Sequence, residues 1–370
     1  MTTTVTAAVA REGHEGFHVE ELELEDPRPD EVLVRYTAAG LCHTDLAAAS
    51  GALPTPRPVV LGHEGTGVVE AVGASVTGVR PGEQVVLSLD SCGRCANCHD
   101  GQPAYCPEHG ALNFAAARAD GSAGLRDQRG EPVHDHFFGQ SSFAGYGLAH
   151  PRGLVVVGSD VAPEILAPLG CGVVTGAGAV WNALRVTPGS TVAVLGAGTV
   201  GLSGVMAARV AGAARIIAVD PHPGRRELAV RLGATETVDP ATEDTAEAVR
   251  DLTAGRGVDF AVESTGVTAV MNQAFGVLAP LGAVAVLGVA ALDADLRANA
   301  FELLKGRTIT GSVMGHQAPR VLIPRVLDLY RQGRFPLDEM IRTYRLEEIN
   351  TAVADVRAGG TVKAVLLHRT

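Results

Sequence analysis

Long apolar runs, basic residues and aromatic rings are all scarce in this 370-residue chain. No apolar stretch reaches the ~20 residues a helix needs to cross a bilayer, so no membrane partner is expected. The start, Met1-Thr2-Thr3-Thr4, has neither a charged n-region nor an apolar h-region, so no secretory signal is expected. Thirty Lys and Arg against 41 Asp and Glu give a formal net charge of −11. That balance argues against a nucleic-acid partner, because phosphate binding needs clustered basic residues. The six cysteines could pair as disulfides, but a chain of this size without a signal is a poor disulfide framework. Thiols kept for metal fit better, and a soluble cytoplasmic protein is the expectation.

Glycine is abundant, at 45 residues, within an ordinary globular balance of 46% hydrophobic and 19% charged residues. Such a chain is long enough for two domains. Its first half reads as short strands punctuated by Pro and Gly: Glu31–Tyr36, Gly67–Val72 and Gln84–Leu87. Ala119–Glu131 is polar and reads as a surface lobe rather than core. Around residue 172 the texture changes to strand–helix alternation: Val192–Leu195, Val200–Ala211, Ile216–Val219, Arg225–Leu232, Val258–Val262, Val267–Leu278 and Ala283–Leu287. Nearly continuous apolar strands separated by helices predict a parallel sheet covered on both faces. A helix near Val321–Arg331 and a strand near Val362–Leu367 follow. No internal repeat or low-complexity segment interrupts this order.

The cysteines are spread unequally. Four stand as Cys92-x2-Cys95-x2-Cys98-x7-Cys106, while Cys42 and Cys171 lie far apart, each beside a glycine. Four close, regular thiols suit structural zinc. An iron–sulfur run would be C-x2-C-x2-C-x3-C-P, and Pro107 does follow Cys106, but the last gap is seven rather than three. Zinc is therefore the expected metal of this cluster. Cys42, His63 and Cys171 are left for an open site, and two cysteines with one histidine are a known catalytic zinc set. Glu64 follows His63 as an alternative ligand or a nearby acid, and Asp45 is a candidate acceptor for the other ring N–H of His63.

Gly196-Ala197-Gly198-Thr199-Val200-Gly201 follows the apolar run Thr191–Leu195 and opens a helical pattern, and Asp220 ends the next strand. That is the dinucleotide fingerprint. Gly196 allows the tight turn, Gly198 the approach of the pyrophosphate, and Gly201 close helix–strand packing. The phosphates would sit at the helix N-terminus. Asp220 would accept hydrogen bonds from the adenosine ribose hydroxyls and repel a 2′-phosphate, so NAD is expected over NADP.

Together these segments resemble the zinc-dependent alcohol dehydrogenases of the medium-chain dehydrogenase/reductase superfamily. The matching stretches are Gly40–Asp45, Gly62-His63-Glu64-Gly65, the four-cysteine lobe, Gly170–Gly176 and Gly196–Gly201. Gly170–Ala179 is most similar to the aryl-alcohol (benzyl alcohol) branch. The resemblance implies an α/β protein: a mostly-β GroES-like catalytic domain plus a doubly wound Rossmann domain, with the active site in the cleft between them. It assigns residues 1–172 and 315–370 to the first domain, with a structural-zinc lobe at about 90–108, and 173–314 to the second. It implies two zinc ions per chain and NAD. Cys42, His63 and Cys171 would bind catalytic zinc, with Glu64 close behind, and Cys92, Cys95, Cys98 and Cys106 structural zinc. Thr175 and Val200 would border the nicotinamide, His43 and Lys363 would meet the pyrophosphate, and Arg225 joins the cofactor-binding set.

By the same resemblance, zinc acts as a Lewis acid on the alcohol oxygen and Thr44 takes the alcohol proton toward the nicotinamide ribose. Many relatives carry a histidine three residues after this threonine; here that position is Ala47. His43 or water is expected to complete the relay. Ser88 stands where the family often has a pocket-lining aromatic, and a small residue there would widen the pocket for a ring-bearing alcohol. The expected partners are a small alcohol and its aldehyde, and the expected assembly is a homodimer, with a homotetramer as the alternative. A thiol-adduct formaldehyde dehydrogenase shares every motif and is the competing enzyme reading. A zinc module for partner binding is the non-enzyme one, disfavoured by the acidic charge and the second ligand set.

Overall fold

The computed structural model describes residues 2–291 and 293–368. The chain forms two compact units. The first takes in the chain through Cys171, together with Ala318–Pro324 and the chain from Ile341 onward; the second comprises Gly172–Gln317 and Arg325–Met340.

The first unit is built on two sheets. A five-stranded antiparallel sheet runs in the order Val59–Val60, Thr2–Ala10, His18–Glu25, Leu125–Arg126, Pro132–Val133. In His18–Glu25, Leu22 and Leu24 are 1% exposed and alternate with glutamates, the period-two pattern of a strand with one wet face. A larger sheet runs Leu154–Val157, Gln84–Leu87, Gly65–Val72, Val32–Gly40, Lys363–Leu367, Ile341–Arg345, and Tyr146–Ala149 also pairs with Val32–Gly40. Val32–Gly40 is its spine, buried along most of its length. The spine ends at Gly40, two residues before Cys42, and Gly65–Val72 begins just after His63-Glu64. The sheet thus delivers two of the chemical loops to neighbouring strand ends.

The second unit holds a six-stranded parallel sheet in the order Glu236–Val238, Arg215–Val219, Thr191–Leu195, Val258–Glu263, Leu278–Val286, Thr308–Gly311. Numbered along the chain this order is 3-2-1-4-5-6, the doubly wound dinucleotide-binding topology. The strands are apolar because helices cover them; Ala193, Leu195, Ile217, Val219, Ala261 and Val284 share one core cluster. The fold class read from the sequence is the fold observed.

Three details differ from the sequence expectation. Gly172 and residues 315–317 and 325–340, expected in the first domain, pack in the second unit. The Arg325 guanidinium lies 4.4 Å from the Trp181 ring centroid, and Phe335 meets the same ring edge-on at 6.0 Å. The strand expected at Ala283–Leu287 starts earlier, spanning Leu278–Val286. The polar stretch 119–131 is mostly exposed but dips into the first sheet, where Leu125 is 2% exposed. Among the described residues no single helix is long and apolar enough to cross a membrane.

Candidate active site

Cys42 caps the helix His43–Ser50, His63 and Glu64 precede the strand Gly65–Val72, and Cys171 follows the turn Ala167–Gly170. Gly62, at φ +96°, gives the loop the left-handed bend that aims His63 inward. The result is one cluster: the ligand atoms of Cys42, His63, Glu64 and Cys171 all lie within 4.8 Å of one another. His63 and Glu64 are fully buried, and the two cysteines are half-buried.

Asp45 organises this cluster from behind. Its Oδ1 accepts from His63 Nδ1 at 2.8 Å and from the Gly62 backbone N–H at 3.1 Å, while Oδ2 accepts from the Cys42 N–H at 3.0 Å. One carboxylate therefore ties both ligand loops and fixes the proton on Nδ1. The Nε2 atom that remains is buried and has no hydrogen-bond partner among the described residues. An orphaned imidazole lone pair beside two thiols is the donor set a zinc ion fits.

The close charges shift every ligand of the cluster. A hydrogen bond from Cys171 outweighs burial and, with the charge of His63, holds Cys42 well below the usual thiol range. Donating that bond, together with burial, pushes Cys171 well above it. Burial would lower His63, but the carboxylate of Asp45 and the charge on Cys42 raise it well above its ordinary value. Burial raises Glu64 against the opposing pull of Lys363.

Lys363, expected at the pyrophosphate, is 2% exposed, and its ammonium donates to Glu64 Oε2 at 2.7 Å and to the Leu41 carbonyl at 3.0 Å. It forms a buried ion pair behind the ligand cluster. His43 is exposed at the first position of its helix, and Thr44 beside it receives the Cys42 thiol at 3.9 Å. Ala47 sits half-buried on the same helix with no ring to offer.

Two residues of this region carried no motif. Gln140 is 1% exposed; its amide donates to the carbonyls of His63, at 3.0 Å, and Ser88, at 3.3 Å, and accepts from the Gly65 N–H at 2.9 Å. Phe138 stacks on the His63 ring at 4.6 Å between centroids and 29° between planes. The only sequence signal for either was the adjacent aromatics and the polar residues of the segment Phe137–Ala144. Ser88, read as pocket lining, is 2% exposed, and its hydroxyl donates to the Gly170 carbonyl at 2.7 Å, next to Cys171.

The second cysteine group stands apart. The sulfurs of Cys92, Cys95, Cys98 and Cys106 lie within 4.8 Å of one another, and all six cysteines of the chain are free thiols. A backbone hydrogen bond from Arg94 draws Cys92 down to about 7, while burial pushes Cys106 up to about 11. Four convergent thiols fit a closed tetrahedral zinc.

In the second unit the fingerprint has its expected frame. Gly196 turns at φ +93° after the strand Thr191–Leu195, and Gly198 caps the helix Thr199–Val210. A Cβ on Gly201 would meet the Gly196 carbonyl oxygen, whereas one on Gly198 would project into open space. The space at Gly198 leaves the backbone open to the approach a pyrophosphate needs. Asp220 follows the next strand and accepts backbone N–H groups of Ala197 and His222, each at 2.8 Å. Arg225 Nη1 lies 3.9 Å from its carboxylate. Thr175, 8% exposed, lies on the helix Gly172–Gly178, where a Cβ on Gly176 would meet the Val200 carbonyl, so the Thr175 and Val200 helices pack directly.

Comparison with known proteins agrees with this geometry. The family model described as "Alcohol dehydrogenase GroES-like domain" matches residues 28–158, and "Zinc-binding dehydrogenase" matches residues 199–331. Geraniol dehydrogenase of Castellaniella defragrans is 43% identical over 98% of this chain and 97% of its own. The crystal structure of an alcohol dehydrogenase zinc-binding domain protein from Burkholderia ambifaria is 49% identical, with a TM-score of 0.97 and coverage of 100% of both chains. Benzyl alcohol dehydrogenase of Acinetobacter calcoaceticus is 44% identical, with a TM-score of 0.95 over 99% of this chain and 100% of that one. This chain belongs to the zinc-dependent alcohol dehydrogenases of the medium-chain dehydrogenase/reductase superfamily, near the aryl-alcohol branch, and is an enzyme of zinc and nicotinamide cofactor.

Proposed function

We propose that this enzyme reversibly oxidises a primary alcohol whose carbinol carbon adjoins a π-system, benzylic first and allylic next, to the aldehyde, with NAD as the hydride acceptor. The observation that carries the chemistry is the buried Cys42–His63–Cys171 cluster with an unpartnered His63 Nε2. The similarity to proteins named for benzyl alcohol and for geraniol supports the substrate class, since both are primary alcohols next to an unsaturated carbon. Oxidation of either yields a conjugated aldehyde.

Cys42, His63 and Cys171 would hold the catalytic zinc, and Cys92, Cys95, Cys98 and Cys106 the structural one. When bound, zinc supplies Lewis-acid polarisation of the alcohol oxygen and NAD supplies the hydride acceptor. The chain's own residues do the rest. Asp45 keeps the proton on His63 Nδ1, so that Nε2 stays a lone-pair donor. Thr44, whose hydroxyl touches the Cys42 sulfur, takes the alcohol proton. With Ala47 in the next position outward, the exposed His43 or water passes that proton to solvent. Asp220, with Arg225 Nη1 3.9 Å from its carboxylate, would receive the adenosine ribose hydroxyls, and its charge would disfavour a 2′-phosphate.

The reading includes a homodimer in the cytoplasm. Free thiols kept for metal suit a reducing compartment. The strand Thr308–Gly311 ends the six-stranded sheet; Phe301 and Leu304 just ahead of it are 71% and 82% exposed, and Leu281, whose N–H donates to the Lys305 carbonyl at 2.9 Å, is 83% exposed. An open sheet edge beside bare apolar side chains is a surface that a second copy would cover. Light scattering of the purified protein measures that assembly.

The function is tested by NADH formation on benzyl alcohol, geraniol, ethanol and an S-hydroxymethyl thiol adduct, with NADP as the alternative acceptor. The expected order of kcat/KM places benzyl alcohol first and ethanol far behind. Strong activity on the adduct alone would replace this reading with formaldehyde dehydrogenase. The ion pair of Lys363 with Glu64 speaks against that outcome, because it neutralises the cation at the ligand cluster that an anionic conjugate would need.

A further inference from the structure

We propose that the four-cysteine lobe is the buttress of the catalytic histidine, acting through an aromatic stack, so that the two metal sites are mechanically one. This rests on the two-zinc reading above and extends it. His63 is held in its ring plane by Asp45 at 2.8 Å. That bond leaves the ring free to tilt out of plane, and the tilt is checked by Phe138, stacked on its face at 4.6 Å. Phe138 does not settle there by local preference. Its backbone is left-handed, at φ 53° and ψ 34°, a conformation that bulky residues avoid. Tertiary contacts must hold it, and they come from the helix His109–Phe114: Phe114 meets Phe138 edge-on at 5.1 Å and His109 at 6.4 Å.

That helix is part of the cysteine lobe. The His109 N–H donates to the Cys106 carbonyl at 2.9 Å, so the helix starts directly off the last thiol. Its Asn113 accepts from the Asp90 N–H at 2.9 Å and donates to the Asp90 carbonyl at 3.0 Å, just ahead of Cys92. Both ends of the cysteine segment therefore close on this one helix. The helix carries their position to Phe138, and Phe138 carries it to His63. Phe114 itself belongs to neither ligand set.

The experiment follows zinc leaving the holoenzyme to a chromogenic chelator such as pyridylazoresorcinol. Native protein is expected to release two zinc ions in separate phases, and His63→Ala identifies the phase of the three-ligand site by losing it. In Phe114→Ala that phase is expected to quicken roughly tenfold, the size seen when an outer partner of a metal ligand is removed. The phase of the lobe should keep its rate, and Phe114→Tyr should restore native release. Unchanged release in Phe114→Ala overturns the proposal, as does equal quickening of both phases, which would mean general loosening. Should Phe114→Ala fail to fold, Phe114→Leu is expected to quicken the same phase by a smaller factor, and native release there overturns the proposal too. Native protein holding fewer than two zinc ions would instead sink the underlying two-zinc reading.

Discussion

The two cysteine sites of this protein are built on opposite plans. The lobe takes four ligands from one short segment, leaves three of them half-exposed, and turns them on each other with little help from outside. The active-site cluster takes its ligands from three distant loops, buries His63 and Glu64 fully, and surrounds them with partners that bind no metal: Asp45, Lys363, Gln140 and Ser88. A site that only braces the fold can be local and self-sufficient. A site that must leave a position open has to be held rigid from behind, because the open position contributes nothing to its geometry.

Losing a ligand breaks this contrast most sharply. His63→Ala is expected to drop the zinc content by one ion per chain and to lower kcat/KM by at least about 10³-fold, since several kcal/mol of Lewis-acid stabilisation go with the metal. Cys98→Ser in the lobe is expected to act first on the melting temperature and on the lobe's own metal, and only then, through Phe114 and Phe138, to quicken release of the other zinc. Metal analysis and calorimetry on both variants check this. If Cys98→Ser abolished turnover with the other zinc still in place, the division between bracing and chemical sites would collapse.

Asp45→Asn comes next. It keeps the shape but gives His63 Nδ1 a neutral partner and weakens the acceptor shared with the Gly62 and Cys42 N–H groups. A fall of about 10- to 100-fold in zinc affinity or activity is expected. The lobe should keep its metal. Competition with a chelator of known affinity measures it, and an unchanged affinity would mean that the ligand loops are set by their strands alone.

The same contrast decides what could be read from the sequence. The lobe and the glycine fingerprint were legible because their chemistry is written in consecutive residues, and the fold class followed from the strand–helix texture after residue 172. Cys42, His63 and Cys171 stood out by what remained once the cluster was assigned, and the structure brings them together. What supports them was not legible. Gln140 reaches His63 and Ser88 across most of the first unit, and Phe138 stacks on His63 only through a strained backbone. The pairing of Lys363 was not legible either, because a basic residue in a strand shows its charge but not its burial; its partner Glu64 lies 299 residues away. Pairings at that separation leave no periodic trace.

The segment between the two regions gives the smallest effect, and it depends on pH. Asp135–Ser141 carries the stack, and it is anchored at His136, whose Nδ1 lies 2.7 Å from Asp135 and whose Nε2 lies 3.4 Å from Glu31; Glu31 in turn binds Arg118 at 2.6 Å. Burial alone would lower His136, but Asp135 and Glu31 raise it to about 9 from an ordinary 6.5. A raised folded-state value means the protonated form is favoured by folding. The stabilisation is thus full below about 6.5 and is lost as the pH rises through about 9. Glu31 works in the other direction: burial would raise it, but His136 and Arg118 hold it at about 2, so its contribution is present above about 4.5 and lost on acidification. Between pH 6 and 9.5 the melting temperature should fall by several degrees, in line with about 3 kcal/mol from the His136 shift. His136→Gln should be less stable at pH 6 and flatten that alkaline limb. If the native limb persists in His136→Gln, the alkaline weakness belongs to another group, and the segment is held by its packing rather than its charges.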